Sequence, residues 1–398
     1  MNNEIEIKKL SSLIDFKNGK IFPKLFGEIP VYGGNGILGY TNKANYENII
    51  IVGRVGAYCG SIHIEKNKCW VSDNAIAGLP KQKESNEYNY YLLKALALNK
   101  KQIGSSQPLL TQDILNNIEI PIHIDVKMRK KIVSVLSSLD SKIKINNRIN
   151  TELESFLKIL YDYWFVQFDF PDVNGKPYKS NGGKMVWNDR FKGKIPDGWH
   201  TGTFKDILDK IECGDRPEGG IIKIDKGVPS IGAENILGIG KYNFDQEKLI
   251  PNDYFSQMKN GVVKSGDVLM YKDGAGLGQV SIFKNGFPYE KSCINSHVFI
   301  LRSNDKISQN YLYFWLDQDH IKKLIVRFGM KAAQPGINQK DVEQIPILIP
   351  DKNLIENFEN TISLSIDKIF TNSKLNKILS DLIDWLLPGL MIGQVKVK

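Results

Sequence analysis

The sequence predicts an α+β protein in which two β-rich domains are separated by two long helices that form an antiparallel coiled coil, with a pseudo-twofold internal duplication. Two observations carry this prediction: a coiled-coil repeat that occurs twice, and the recurrence of first-half motifs in the second half. Such recurrence is typical of a duplicated structural unit. The predicted boundaries are 1–126 and 199–351 for the two β-rich domains, 127–168 and 352–391 for the spacer helices, and 169–198 for a basic connector.

The first long helix is predicted from Arg129 to Phe165. Its apolar positions alternate in steps of four and three, which is the spacing of a coiled-coil seam rather than the broader stripe of a helix packed on a globular core. The seam positions are Ile132, Leu136, Leu139, Ile143, Asn146, Asn150, Leu153, Leu157, Leu160 and Trp164. At about 1.5 Å per residue, this helix would be about 55 Å long.

A second seam lies near the C-terminus, and each position follows its counterpart by 226 residues. Its positions are Phe358, Ile362, Ser365, Ile369, Asn372, Asn376, Leu379, Ile383 and Leu386. Nine matches at one offset disfavour the alternative of two unrelated surface helices. The two seams are therefore predicted to pair with each other.

Each seam contains two asparagines. A seam asparagine costs stability but fixes register, because a slipped pairing would leave its amide against apolar side chains. In an antiparallel pair, Asn146 falls near Asn376 and Asn150 falls near Asn372. We predict that these four residues set the register of the helices.

Composition limits the classes of protein that are possible. The 398 residues are 42% hydrophobic, which excludes wholesale disorder and leaves room for two or three domains. The net charge of +9 favours a polyanionic partner such as nucleic acid. The four cysteines form no CxxC pair, so neither a zinc site nor a disulfide framework is predicted. No apolar run approaches the ~18 residues of a membrane span, so we expect a cytoplasmic protein with no membrane partner.

The first β-rich domain is predicted from short β-branched runs separated by glycine-rich turns. The runs are Pro30–Gly36, Ile49–Val52 and Ser61–Ile64. A short helix from Tyr88 to Leu98 and a strand from Ile118 to Ile122 follow, and the strand leads into the first long helix.

The second half repeats this order. Segment 51–62 matches 269–280, so that Gly56 and Gly60 align with Gly274 and Gly278, and Arg54 aligns with Lys272. The other matches are the helix Asn310–Leu316, Gln334-Pro335 with Gln107-Pro108, and Ile345, Ile347 and Ile349 with Ile118, Ile120 and Ile122. The sequence between these anchors diverges. We infer one framework that carries two different recognition surfaces.

The motifs that could carry chemistry argue against an enzyme. Segment 274–278, GAGLG, lacks the GxGxxG spacing of a nucleotide-binding loop, and its twin at 56–60 indicates a structural turn. The five histidines are scattered, and His297 is expected to be packed or hydrogen-bonded rather than a catalytic base. No catalytic, cofactor-binding or metal-binding residue is predicted.

The candidate DNA contacts are basic, aromatic and amide side chains on the glycine-rich loops, because these types can reach base edges or phosphates. They are Lys17, Lys20, Lys24, Tyr32, Asn35, Lys43, Arg54, Tyr58, Arg216, Lys223, Asn235, Lys272, Arg327 and Lys331. Any single one is more often solvated surface than a base contact. The connector has six basic residues and one acid between Asn174 and Lys194, and it is either a solvated loop or a set of phosphate contacts.

The order of domains and several motifs resemble the specificity subunit of type I restriction-modification enzymes, over essentially the whole chain. The segments that carry the resemblance are 160–168 (LYDYWFVQF), 175–178 (GKPY) with 182–187 (GGKMVW), 195–199 (IPDGW) and 386–391 (LLPGLM). The glutamate-glutamine pair often seen at the start of the family's helices is absent at Val126–Lys130 and at Asn353–Asn357.

The resemblance implies that the two β-rich units are target recognition domains, each reading one half of a split, asymmetric site in double-stranded DNA. It also implies that the helices set the gap between half-sites and dock two modification (methyltransferase) subunits. S-adenosylmethionine would bind to the modification subunits, and ATP with Mg²⁺ to separate restriction subunits. This chain would be a non-catalytic subunit that binds no cofactor itself.

Two other classes remain as alternatives. A fused nuclease or methyltransferase predicts activity from the purified chain. A coiled-coil interaction scaffold that never binds DNA predicts no salt-dependent DNA affinity.

Overall fold

A computed structural model describes residues 5–22, 26–82, 85–101, 108–215, 224–330 and 335–397. The chain forms two compact units: the first consists of residues 1–143 and 378–398, and the second of residues 144–377. Both contain strands and parts of the long helices, so the predicted α+β class is confirmed. Among the described residues, no helix combines the length and hydropathy needed to cross a membrane.

The first unit is built on a six-stranded sheet with the order β2-β7-β5-β6-β3-β4. Neighbouring strands are antiparallel except β3 and β6, which run parallel. A separate pair joins β1 to β8 antiparallel. The strands are β1 (Ile5–Lys9), β2 (Ile14–Asn18), β3 (Ile29–Gly33), β4 (Gly36–Thr41), β5 (Tyr46–Gly53), β6 (Ile62–Val71), β7 (Ala75–Pro80) and β8 (Glu119–His123).

Helices cover the core of the first unit. They are α1 (Asn86–Ala95), α2 (Gln112–Asn117) and the first part of α3 (Val126–Tyr161). Helix α1 buries Tyr88, Tyr91 and Leu92, whose spacing places them on one face. The Tyr91 hydroxyl donates a hydrogen bond to Asp140 Oδ2 at 2.6 Å, which ties α1 to α3.

The second unit contains a four-stranded sheet, β12-β18-β15-β16, and a three-stranded one, β14-β13-β17. Strands β11 and β19 pair antiparallel, as β1 and β8 do. In each unit, the strand that precedes the long helix therefore pairs with the strand at the start of the β-rich part. The strands are β9 (Met185–Asn188), β10 (Gly193–Pro196), β11 (His200–Thr203), β12 (Leu208–Cys213), β13 (Val228–Ile231), β14 (Leu249–Ile250), β15 (Val268–Tyr271), β16 (Val280–Ile282), β17 (Cys293–Ile294), β18 (Val298–Ser303) and β19 (Pro346–Ile349).

The helices of the second unit pack on these sheets. They are α4 (Phe204–Ile207), α5 (Asn252–Gln257), α6 (Gln309–Asp317), α7 (Asp319–Gly329), α8 (Gln339–Glu343) and α9 (Lys352–Met391) as far as Lys377. Helix α6 occupies the place that α1 has in the first unit, as the repeated aromatic motif predicts. The Tyr88 hydroxyl accepts from the backbone N–H of His123, and the Tyr311 hydroxyl donates to the carbonyl of Leu348, so both bind the strand before the long helix.

Within the second unit, α3 and α9 are antiparallel, as predicted. Asn146 Nδ2 donates to Asn376 Oδ1 at 2.8 Å, and Asn372 Nδ2 donates to Asn150 Oδ1 at 2.9 Å. Asn150 Nδ2 also donates to Ser373 Oγ at 3.1 Å. The two polar layers therefore lie opposite each other, while the role of these residues in selecting the register stays a prediction.

We expect that replacing Asn146, Asn150, Asn372 and Asn376 together by leucine will raise the thermal midpoint of the second unit, by roughly 2–4 °C per kcal/mol gained. The same change should relax register, because apolar layers pair in several alignments. Spin labels at exposed Arg148 and Lys368 would report the register as a distance distribution. A single narrow distance in the variant would contradict the register role.

The buried face of each long helix is wider than the predicted seam. The sequence indicated a narrow stripe distinct from that of a helix packed on a globular core, but α9 also buries Ile366 and Phe370, which lie beside the seam. Tyr161 and Phe165 are equally buried near the end of α3, and the ring of Phe165 lies 4.9 Å from those of Tyr311 and Phe358. The helices therefore belong both to a coiled coil and to the core of the β-rich part. Periodicity alone missed the second role because these residues contact partners far away in sequence.

Candidate nucleic-acid interface

Four loop segments contact one another in the first unit, and we call them the first loop cluster: 19–20, 33–35, 53–61 and 72–74. Arg54 N–H donates to the carbonyl of Asn74 at 3.0 Å, and Lys20 N–H donates to that of Val71 at 3.0 Å. A Cβ built on Gly34 would lie 3.3 Å from Cα of Gly53 and 3.4 Å from Cβ of Tyr58. Gly34 and Asn35 form the turn between β3 and β4, so this turn packs on the 53–61 loop.

The second unit has a corresponding second loop cluster: 214–215, 232–235, 272–278, 295–297 and 335–337. Lys272 N–H donates to the carbonyl of His297 at 3.1 Å. Asn295 N–H donates to that of Ile231 at 2.9 Å, as Ser72 N–H does to Tyr32 in the first unit at 2.9 Å. Corresponding loops of the two units are thus assembled by the same backbone contacts.

The aligned glycines adopt the same backbone conformation and make the same hydrogen bonds in both units. Gly56, Gly60, Gly274 and Gly278 all have positive φ, of 71°, 86°, 77° and 85°, a region that favours glycine. Gly56 N–H donates to Pro108 O and Gly274 N–H donates to Pro335 O, at 3.1 and 2.9 Å. Glycine is required at position 60 for a second reason besides its positive φ: a Cβ there would lie 2.4 Å from the backbone N of Asn99. These glycines form a structural turn, as the sequence predicted.

Side chains differ at matched positions of this framework. Arg54 corresponds to Lys272 and Asn74 to His297, because the same backbone hydrogen bond joins the members of each pair in both units. Lys272 Nζ donates to Cys213 Sγ at 3.3 Å and lies 5.0 Å from the centroid of the Phe299 ring. Arg54 Nε is buried, and it has no hydrogen-bond partner among the residues that the structure describes.

Three predicted DNA contacts come together in the first loop cluster: Asn35, Arg54 and Tyr58. Asn35 is exposed at the tip of the turn, and Tyr58 is 58% exposed. Lys20 lies at the edge of the same cluster. Lys17 and Lys43 are exposed but stand apart: Lys17 forms an ion pair with Asp15 at 3.3 Å, and Lys43 follows β4.

In the second unit, Lys272 belongs to the second loop cluster, and Arg327 is exposed in the last turn of α7. The end of α7 contacts the cluster, because Gly336 N–H donates to the carbonyl of Gly329 at 3.0 Å. The predicted contacts Lys24, Arg216, Lys223 and Lys331 lie outside the described residues, as do Gln107 and Gln334 of the repeated motif.

Two predicted contacts are corrected. Tyr32 is 8% exposed, and its hydroxyl donates to Glu65 Oε2 at 2.9 Å. Burial, reinforced by Glu65, raises the pKa of Tyr32 above its ordinary value. Asn235 is fully buried, and its Oδ1 accepts from the backbone N–H of Asn243 at 3.2 Å. Both side chains are therefore buried and hydrogen-bonded inside their units. Residue type did not reveal this, because tyrosine and asparagine occur both at the surface and in the core.

Sequence reasoning missed Asn74 and Asp273 as members of the clusters. Asn74 is exposed beside Arg54, and Asp273 contacts the ring of His297. The expectation that His297 is hydrogen-bonded is confirmed. The alignment around Arg54 and Lys272 does not find Asn74, because the offset of 218 residues at that pair becomes 223 between Asn74 and His297.

The connector is folded as well as exposed. Phe170 stacks between Tyr178 and Trp199, with ring centroids 4.6 and 5.6 Å apart, and β9 pairs with β10. Lys184 pairs with Asp197 at 2.8 Å. The six basic side chains are all exposed: Lys176, Lys179, Lys184, Arg190, Lys192 and Lys194. The structure thus attaches this segment to the second unit and leaves its positive charge in solvent.

The polar side chains of the two loop clusters suit recognition through hydrogen bonds. Within the described ranges, no group of three or more histidine, cysteine, aspartate or glutamate side chains is placed to hold a metal ion. The loop clusters instead present amide, guanidinium, ammonium and imidazole groups, which form hydrogen bonds with base edges and phosphates.

Comparisons with known proteins agree with this arrangement. The family model of the type I restriction modification DNA specificity domain matches residues 2–155 and 196–380. The chain is 26% identical over 348 residues to the type I restriction enzyme MjaIX specificity subunit of Methanocaldococcus jannaschii, covering 85% of this chain and 76% of that protein. It is 23% identical to the HindI specificity subunit of Haemophilus influenzae, with 78% and 75% covered.

A solved structure supports the fold. The crystal structure of a type I restriction-modification S subunit from M. genitalium matches with a TM-score of 0.60 at 17% identity, covering 98% of this chain and 97% of that one. The family model matches each half of the chain separately, in agreement with the duplicated framework. The resemblance inferred from the sequence is confirmed: this chain belongs to the type I restriction-modification DNA specificity family.

Proposed function

We propose that this chain is the DNA-recognition subunit of a type I restriction-modification complex and that each loop cluster reads one half of a split, asymmetric site. The observation that carries this proposal is the shared loop framework with unlike side chains. Identical backbone hydrogen bonds place Arg54 and Asn74 in one unit where Lys272 and His297 lie in the other. A framework repeated with different recognition groups favours two different half-sites.

The residue types support major-groove readout. Arginine and lysine form hydrogen bonds with guanine, and asparagine pairs with adenine through two bonds. Asn35 and Arg54 supply such groups in the first cluster, where the Tyr58 hydroxyl can also form hydrogen bonds, and Lys272 supplies one in the second. The exposed basic side chains of segment 176–194 would contact phosphates, which add affinity without sequence choice.

Each long helix also has a second exposed apolar face. On α3, Phe156 and Ile159 are 48% and 68% exposed, and on α9 the corresponding residues Leu382 and Trp385, 226 positions later, are 36% and 72% exposed. In both cases the pair lies one residue before two seam positions. Residues three apart share a helix face, so each pair forms a compact apolar patch. Phe156 and Ile159 belong to the second unit, and Leu382 and Trp385 belong to the first.

Two matched patches favour two copies of one partner. We propose that each patch docks a helix of a modification subunit, which would bury the exposed rings as one helix of a bundle does. The modification subunits would bring S-adenosylmethionine, and restriction subunits that join through them would bring ATP and Mg²⁺. This chain would supply recognition and hold the assembly together.

The proposal is tested by sequencing the methylome of a host that expresses this chain with its modification subunit, against the same host lacking this chain. We expect one new split motif containing methylated adenine. If no motif appears, either the modification subunit or the proposed function is wrong. Measuring the affinity of the purified chain for duplex DNA at several salt concentrations distinguishes these two causes. Affinity that falls steeply with salt would indicate a wrong modification subunit, and absence of affinity would contradict the proposed function.

The helices are also proposed to set the gap between half-sites. Inserting one heptad into both α3 and α9 lengthens each by about 10 Å, so the gap should grow by about 3 base pairs while the bases read stay the same. Sequencing the methylated motif produced with the lengthened chain measures both the gap and the bases read. A changed base preference with an unchanged gap would refute this role. Insertion of four residues instead of seven is the matched control, because it shifts the heptad phase and changes the local winding of the coiled coil.

A further inference from the structure

An aspartate holds the ring of His297 in the second loop cluster. His297 Nδ1 lies 2.8 and 2.9 Å from the two carboxylate oxygens of Asp273. Both side chains are partly in solvent, with 41% of His297 and 35% of Asp273 exposed. The pair therefore lies at the surface of the cluster, where a ligand can reach it.

The backbone on both sides of this pair is fixed. His297 N–H donates to Asn295 Oδ1 at 2.9 Å, and the carbonyl of His297 accepts from Lys272 N–H at 3.1 Å. Asn295 itself is 2% exposed. Asp273 pairs with Gly336 in an isolated bridge. Both members of the pair are thus attached to ordered backbone, so the imidazole is held in one orientation before any ligand binds.

The fold does not require this pair. In the first unit, Val55 and Asn74 occupy the positions of Asp273 and His297, and the surrounding backbone hydrogen bonds are the same. A polar contact between partly exposed side chains also adds little to stability. Because the framework forms without the pair, its orienting contact is better explained by recognition than by folding.

The contact makes Nδ1 the donor, because a carboxylate only accepts. In the neutral imidazole the other nitrogen, Nε2, is then a hydrogen-bond acceptor. Nε2 has no hydrogen-bond partner among the described residues. An acceptor of this kind matches the exocyclic amino group of adenine or cytosine, which the major groove presents.

We propose that His297 is a specificity-determining residue, whose Nε2 accepts a hydrogen bond from the amino group of one adenine or cytosine in the half-site read by the second unit. Asp273 is its positioning residue, and Asn74 is the matched position in the first unit. The inference rests on the proposed function. Pre-orientation by Asp273 reduces the entropy that the side chain loses on binding DNA.

The test uses the full chain with its modification subunit and reads the methylated motif base by base. The variants are His297→Ala, His297→Asn, which introduces the side chain present at position 74, and Asp273→Asn. The control is His200→Asn, an exposed histidine of the same unit outside the loop cluster. The other half-site serves as an internal reference, because it is read by the other unit.

We expect His297→Ala to lower discrimination at one base-pair position by roughly tenfold and to leave the gap and the other half-site unchanged. His297→Asn should retain or shift preference at that same position, and Asp273→Asn should weaken it. His200→Asn should leave the methylated motif unchanged. An unchanged motif in His297→Ala would overturn the inference, and so would a uniform loss over the whole half-site, which indicates a phosphate contact or a folding defect. Absence of any split motif with the unsubstituted chain would instead overturn the proposed function.

Discussion

Replacing Arg302 by methionine is expected to lower the free energy of unfolding of the second unit by about 3–5 kcal/mol. Arg302 Nε donates to Asp267 Oδ1 at 2.7 Å, and its Nη2 donates to Asp267 Oδ2 at 2.6 Å. Its Nη1 also donates to Glu212 Oε1. Asp267 and Glu212 are only 3% and 6% exposed, so the substitution would leave two carboxylates largely buried without their principal partner.

The loss in free energy of unfolding is measured by denaturant titration, monitored through a signal from the second unit. Lys210→Met is the matched control, because Lys210 also pairs with Glu212, at 3.0 Å, but is 51% exposed. An exposed lysine contributes about 0–1 kcal/mol, so the control should lose little stability. Equal effects of the two substitutions would contradict the buried network.

The same network sets a pH dependence. Burial raises the pKa of Glu212, but hydrogen bonds from Gly261 N–H, Lys210 and Arg302 outweigh it, so the pKa lies below the ordinary glutamate value. A carboxyl whose folded pKa is depressed stabilises the fold above its unfolded pKa of about 4.3, and this stability is lost as pH falls toward the folded pKa. In Arg302→Met the deficit should shrink in acid, because protonated carboxyls need no cation. A deficit that grows below pH 4 would contradict this account.

Placing charges on the exposed helix patches is expected to remove one modification subunit at a time. Phe156→Glu with Ile159→Glu alters the patch of the second unit, and Leu382→Glu with Trp385→Glu alters that of the first. Each double substitution should weaken docking at its own patch by about a hundredfold or more, because exposed aromatic residues dominate such interfaces and a buried carboxylate opposes them. Native mass spectrometry of the assembled complex should show two modification subunits reduced to one.

Exposed positions of the same helices outside each patch provide controls. Thr151→Glu on α3 and Ser380→Glu on α9 each add one negative charge at such a position. Both should retain two modification subunits. Retention of two subunits after all four patch residues are replaced would exclude the patches as docking sites. Altered melting of the chain alone would instead indicate a folding defect.

The sequence predicted the helical part of this protein well, because a coiled coil is encoded locally. A seam repeats every three or four residues, so Leu136 or Ile362 can be assigned without knowledge of any distant contact. The paired asparagines added the direction and alignment, which the hydrogen bonds of Asn146 with Asn376 and Asn150 with Asn372 reproduce. The predicted limits of the domains and connector remain predictions.

The loop clusters were predicted in outline only. Glycines with positive φ leave a signature in sequence, and the recurrence of Gly56 and Gly60 as Gly274 and Gly278 located the turns. The orientation of each side chain has no such signature. Tyr32 and Arg54 are both plausible surface residues by type, yet Tyr32 lies inside and binds Glu65, 33 residues away.

The fold class, the paired helices, the duplication and the family could all be predicted from the sequence, because each depends on spacing or on short motifs along one chain. Which side chains meet became clear from the folded chain alone. His123 Nε2 binds the carbonyl of Leu390 at 2.8 Å across 267 positions, and Arg302 binds Glu212 across 90. The fold also places Asp273 where it orients His297. Such contacts arise when distant segments pack together, and no periodicity records them, since their free energy depends on burial and geometry that exist only in the folded chain.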